Sequence, residues 1–234
     1  MPLSWTARDE GGLVVVAVRG CLDLPGAPRL QTALLECLAE QPAALLLELS
    51  GLELAEDAAL ALFAEVAEQS ARWPGAPLLP CDPAPRVAAL LERGGLTVYR
   101  SVAEARVVVD EAVPGIGDQI LPIAGAARHA RNLATEACAA WDLPHLVGPA
   151  CLVVSELVSN AVEHAGTMIT VRLTRRAGHL HIAVRDGSAG EPVERPVAAA
   201  AERGRGLMLV STVATDWGWL PARDGKVVRA TLNF

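Results

Sequence analysis

Ser155–Ala165 reads SELVSNAVEHA, inside a stretch from about Leu146 to His164 whose apolar period predicts a helix. Within it Glu156, Asn160 and His164 lie four residues apart. That spacing stacks side chains on one helix face, with neighbouring β-carbons about 5–6 Å apart. A carboxylate that can take a proton, followed one turn later by an amide oxygen, suits phosphoryl transfer. Magnesium prefers hard oxygen ligands and usually shares itself with substrate phosphates. The same spacing also suits a solvated polar face.

Working outward, a helix from about Ala124 to Trp141 is expected before this one. After it the pattern turns to strands: TMITVRLTRR, GHLHIAVRD and, near the end, KVVRATLNF. Helices first and antiparallel-looking strands afterwards predict an α+β sandwich with one layer of each. The strand Ile182–Gly187 (IAVRDG) ends in Asp186, an acid able to accept the exocyclic amine of adenine, and in a glycine that permits close backbone approach. Asp-Gly is equally a hairpin-turn signal. In Glu202–Ala214 (ERGRGLMLVSTVA), Gly204 and Gly206 can bring amides near an anion at the start of a helix, or serve as a plain loop-to-helix turn.

The chain has 234 residues, enough for two domains of ordinary size, and 52% are hydrophobic although only 3% are aromatic. Its net charge of −7 argues against a duplex nucleic-acid partner, which needs a basic surface. The charge is uneven: residues 1–117 carry −8 and residues 118–234 carry +1. Between the halves EAVPGIGDQILP (Glu111–Pro122) interrupts any period with two Gly and two Pro, so residues 113–119 are read as a linker between domains at 1–112 and 120–234. Cys21, Cys37, Cys81, Cys138 and Cys151 have no metal-site or disulfide spacing and read as reduced thiols of a cytoplasmic protein. No targeting segment is evident in MPLSWTARDEGG, and no stretch is expected to reach the roughly 18 apolar residues of a bilayer span.

In the first half LVVVAVRG (Leu13–Gly20) and AALLLELS (Ala43–Ser50) read as strands, and APLLPC as a third apolar piece. Helical patterns alternate with them from about Pro25 to Glu40, with Asp23 as cap, across AEDAALALFAEVAEQSARW, and in PAPRVAALLERGG. Strands alternating with helices predict βαβ units, an α/β domain.

Read together, SELVSNAVEHA, VRDGS, GRGLMLV, and WGW followed by GKVV resemble the GHKL fold shared by gyrase, Hsp90, MutL and histidine kinases, and within it the anti-sigma-factor serine kinases. The resemblance covers roughly residues 120–234 and implies a Bergerat-type ATP-binding sandwich. By it, Glu156 would be the general base and Asn160 the magnesium ligand. Asp186 would be the adenine acceptor and Gly204 and Gly206 the phosphate-loop glycines, with Gly190, Arg205 and Leu207 also binding the cofactor. His164 either closes its helix or packs beside the nucleotide, and Trp217 and Trp219 are read as strand or core residues. One departure shows: Ser188 stands where the Asp-x-Gly-x-Gly pattern has its first glycine.

VVVAVRGCLDL and ALLLELSGLELAEDAALALF resemble a STAS domain, the fold of anti-sigma-factor antagonists, over roughly residues 4–110. Where that family carries Asp-Ser-Ser-Gly, with a phosphorylated serine, this chain has Glu56, Asp57, Ala58 and Ala59. Asp57 is then either a helix-start acid or a regulatory, permanent approximation of phosphoserine. The resemblances together imply an anti-sigma factor with serine/threonine kinase activity, using ATP and Mg2+. Its partners would be a sigma factor or STAS-type antagonist, with no nucleic acid and no membrane, and homodimer formation is left open. The alternative is a catalytically inactive ATP-binding interaction module. Asp186→Asn is expected to weaken ATP binding and leave the fold intact.

Overall fold

The computed structural model describes residues 1–109, 113–190, 192 and 206–234. The chain forms two compact units, Met1–Ala112 and Val113–Phe234. In the first, β1 (Ser4–Asp9), β2 (Leu13–Leu22), β3 (Ala44–Leu54) and β4 (Leu78–Cys81) form a sheet in that order. Strand β1 is antiparallel to β2, while β2, β3 and β4 run parallel. Parallel strands need long crossovers, supplied by α1 (Ala27–Ala39) and α2 (Ala61–Arg72). Val14–Val18 and Ala44–Leu47 are buried throughout, which is why these strands read as unbroken apolar runs. Leu30, Leu34, Cys37 and Leu38 form the buried stripe of α1, and the Asp23 carboxylate accepts from the Gly26 amide (2.8 Å) just before it. Helices α3 (Pro85–Arg93) and α4 (Val102–Val108) complete the unit.

Strand β1 is absent from the sequence reading. SWTARD is a polar edge strand in which only Trp5 and Ala7 are half-buried, so it lacks an apolar run to announce it.

The second unit runs β5 (Gly115–Ile120), α5 (Ala126–Ala140), α6 (Val147–His164), β6 (Ile169–Arg176), β7 (His179–Asp186), α7 (Gly206–Val213), β8 (Asp216–Ala222) and β9 (Gly225–Asn233). Its five-stranded sheet has the order β5-β6-β7-β9-β8 and is antiparallel throughout. Ile169, Val171 and Leu173 of β6, Leu180, Ile182 and Val184 of β7, and Val228, Ala230 and Leu232 of β9 pack against α5 and α6 in one core. The period of two places every second strand residue against the helices. Alanines 130, 134 and 137 on α5 let it approach α6 closely.

Residues 113–119 are therefore not a linker, because Gly115–Ile120 is an edge strand paired with β6. Its glycines made it look like a turn. The membrane expectation also needs correction: Pro144–His164 is long and apolar enough to cross a bilayer, with mean hydropathy 1.4. Its apolar side is spent on the core, through Ala150, Val153, Val154, Leu157, Val158 and Ala161.

The five cysteines form no disulfide. Burial, aided by nearby Asp82, pushes the Cys81 thiol up to about 12, and burial likewise raises Cys138.

One buried polar group gives the fold a pH signature. His181 of β7 has its Nδ1 3.0 Å from the Thr231 hydroxyl, and burial, with His179, Arg176 and Arg229 nearby, pushes it down to about 4 against a weaker opposite effect of Asp216. The native state thus binds fewer protons than the unfolded chain, whose histidine titrates near 6.5. Stability from this group is complete above about pH 6.5 and is lost as pH falls towards 4, by up to about 3 kcal/mol. Urea unfolding of the full chain across that window should show the decline, and His181→Gln should flatten it. An equally steep decline in the variant would place the acid sensitivity elsewhere.

Candidate functional site

Helix α6 carries Glu156 and Asn160, half-buried, on the side away from buried Leu157, Val158 and Ala161, and ends at exposed His164. Helix α7 packs on α6. Its first residue, Gly206, lies so near that a Cβ there would come within 2.6 Å of Glu156 Oε2 and 3.7 Å of Asn160 Nδ2. The start of α7, with its outward amides, thus converges with the carboxylate and the amide of α6. Leu207 turns into the core. Gly204 and Arg205, which the sequence places in the same loop, lie outside the described residues.

A second cluster forms where β7 ends. Asp186 is 4% exposed, and its Oδ1 accepts from the Ser188 amide (2.8 Å) and from the Lys226 ammonium (2.9 Å). Lys226, itself 6% exposed, also donates to the Ser188 carbonyl (3.2 Å). The Gly187 amide donates to the Thr167 hydroxyl (2.8 Å), tying the turn after α6 to the end of β7, while the Gly190 amide donates to Ser188 Oγ (3.3 Å). Asp186-Gly187 is no hairpin turn: β7 pairs with β6 and β9, and among the described residues the next strand begins at Asp216.

The structure joins Glu156, Asn160 and Gly206 in one group and Asp186 with Lys226, Ser188 and Thr167 in another. Trp217 and Trp219 are half-buried in β8 against the core, as read. Lys226 and Thr167 were missed as site residues. Lys226 heads an apolar strand and looks like an outward polar residue until the register sets it opposite Asp186. Its one sequence signal is that it is the only lysine beside nineteen arginines. Among the described residues no group of three or more His, Cys, Asp or Glu side chains could hold a metal by itself.

In the first unit Asp57 opens the short 3-10 helix Asp57–Leu60 that leads into α2, and its carboxylate accepts from Arg86 of α3 (2.8 Å). Both side chains are largely exposed, so the pair contributes little stability.

Comparison with known proteins gives a STAS domain at residues 5–108 and a histidine kinase-like ATPase domain at residues 123–232. No curated protein matches the chain. Among solved structures, an anti-sigma factor antagonist from Mycobacterium paratuberculosis is 23% identical, over 47% of this chain and 96% of that one, with a TM-score of 0.41. The RsbU and RsbW domains of a Mycobacterium tuberculosis protein are 20% identical over 51% of this chain and 32% of theirs, with a TM-score of 0.40. The anti-sigma factor antagonist SpoIIAA in its unphosphorylated form is 15% identical over 47% of this chain and all of its own, with a TM-score of 0.37. A parallel sheet with crossover helices, then an antiparallel sheet layered with α5, α6 and α7, are the two folds these families describe: the chain is a STAS domain followed by a histidine kinase-like ATPase domain.

Proposed function

We propose that the C-terminal domain binds MgATP and transfers its γ-phosphate to a serine or threonine hydroxyl of a separate STAS-type antagonist, and that the chain is a cytoplasmic anti-sigma factor in a partner-switching circuit. The observation that carries this reading is the convergence of Glu156, Asn160 and Gly206, because a proton acceptor, a hard oxygen ligand and a helix start meet at one place. A glycine at that point lets the start of α7 come close to the Glu156 carboxylate, where a Cβ would collide with it, and the donor set suits a magnesium-bound polyphosphate. Asn160 would hold Mg2+, whose charge would help to neutralise the transferring group.

The chain's own residues supply the rest. Glu156 accepts the proton of the attacking hydroxyl. Asp186 accepts from the amine of adenine and Gly204 and Gly206 line the phosphates, while Gly190, Arg205, the backbone of Leu207 and His164 complete the nucleotide site. In the STAS half, Asp57 holds a fixed single charge against Arg86 where a serine would be switchable, and residues 56–59 offer no hydroxyl. The substrate is accordingly a different protein. The regulatory role of Asp57 fits a permanently set STAS half.

Because Asp186→Asn would strand the buried Lys226 ammonium, contrary to the expectation of an undisturbed fold, the base is better varied than the protein. Calorimetry should find ATP bound about tenfold or more tighter than inosine triphosphate, whose 6-oxo group cannot donate to Asp186, since a charged hydrogen bond is worth about 1.5–3 kcal/mol. Equal binding of the two would sink the adenine assignment. Incubation with labelled MgATP and separate STAS proteins should place phosphate on a partner, with none on residues 56–59 of this chain. Tight ATP binding without any transfer would leave the non-enzymatic interaction module as the better account.

A further inference from the structure

The acid at the end of β7 is not left to hydration or to a ligand. A single ammonium reaches it across the sheet, from the position directly opposite on β9, and both side chains of the pair are more than nine-tenths buried. Burying two charges is costly unless they are paired and their remaining donors satisfied. Here the pairing is one-sided. Both Lys226 and the Ser188 amide donate to Oδ1, and Lys226 also bonds the Ser188 carbonyl. Oδ2 takes no hydrogen bond among the described residues. The choice of residue is equally pointed, because a chain with nineteen arginines uses its one lysine here. A compact ammonium can sit on one carboxylate oxygen, whereas the planar guanidinium fork favours engaging both.

We infer that Lys226 is the positioning residue of the base-reading carboxylate: it occupies Oδ1 of Asp186 and thereby presents Oδ2 alone, as a fixed acceptor, to the amine of a 6-aminopurine while refusing a 6-oxopurine. The inference rests on the nucleotide reading of Asp186 and assigns the source of its selectivity. A carboxylate held by one oxygen loses little freedom when its other oxygen meets a donor, which favours a ligand bearing one. A carbonyl at the same place meets a lone pair, and Lys226 has two of its three donors already committed to Asp186 and the Ser188 carbonyl.

The test compares ATP with inosine triphosphate on the full chain and on Lys226→Met. In the unaltered protein ATP should be preferred about tenfold or more, and in the variant ATP affinity should fall by about that factor while inosine triphosphate changes less than about twofold. A lysine that only stabilises the fold would weaken both nucleotides equally or neither, and that result overturns the inference while leaving the ATP reading in place. Absence of any preference in the unaltered protein overturns both. Since a buried carboxylate stripped of its partner is strongly destabilising, the variant's folding is checked first. Should it not fold, lysine-labelled unaltered protein decides, because the one lysine gives one side-chain NMR resonance. ATP should move that resonance and tripolyphosphate should not. A resonance unmoved at saturating ATP refutes the role.

Discussion

Glu156→Gln is expected to slow phosphoryl transfer to a STAS substrate by about 10²–10⁴-fold while MgATP still binds, the span that a positioned general base contributes. The substitution keeps the size of the side chain, which matters because the start of α7 lies against its end. What it removes is the ability to take a proton from the attacking hydroxyl. Half-burial on α6 holds the carboxylate in place, and buried Leu157 and Val158 anchor the helix behind it. Labelled-phosphate transfer and calorimetry read the two properties separately. A variant that transfers phosphate at the parental rate would make this face of α6 an ordinary solvated surface. A variant that loses both binding and transfer would instead give Glu156 a part in holding the nucleotide.

The helix bearing that residue was legible because its length, its apolar period and the spacing of Glu156 and Asn160 all lie within one local stretch. The same holds for β2 and β3, whose unbroken apolar runs follow from burial on both faces. Edge strands were harder to see. Gly115–Ile120 carries two glycines and only one buried residue, so local chemistry pointed to a linker, and its strand character comes from pairing with β6 some fifty residues later. The site was legible to the same extent. Asp186 announced itself as an acid ending an apolar strand, but its counter-ion is set by which strand lies next to β7, and the sequence pattern leaves that choice open. Neither Lys226 nor Thr167 stands within ten residues of Asp186.

That long-range dependence makes Gly225 the most sensitive backbone position near the site. Gly225→Ala is expected to destabilise the chain by roughly 3 kcal/mol or more, the range of substitutions that force a packed backbone apart. A Cβ at this position would stand 2.0 Å from the Asp186 carbonyl oxygen and 2.7 Å from Gly187 Cα, and both obstacles are backbone atoms that no rotamer change can clear. Gly225 also adopts φ +154°, at the margin of what a side chain tolerates. To make room, the start of β9 must withdraw from the end of β7, and the Asp186–Lys226 register goes with it. Gly148→Ala provides the contrast, since this glycine lies in the first turn of α6 with open space around its missing Cβ. There the same substitution should stabilise by about 0.5–1 kcal/mol through the lower entropy of the unfolded chain. Urea unfolding of both variants checks the pair. Similar small shifts for the two would mean that β9 can move away from Asp186 at little cost, in which case this turn could not hold the carboxylate for a ligand.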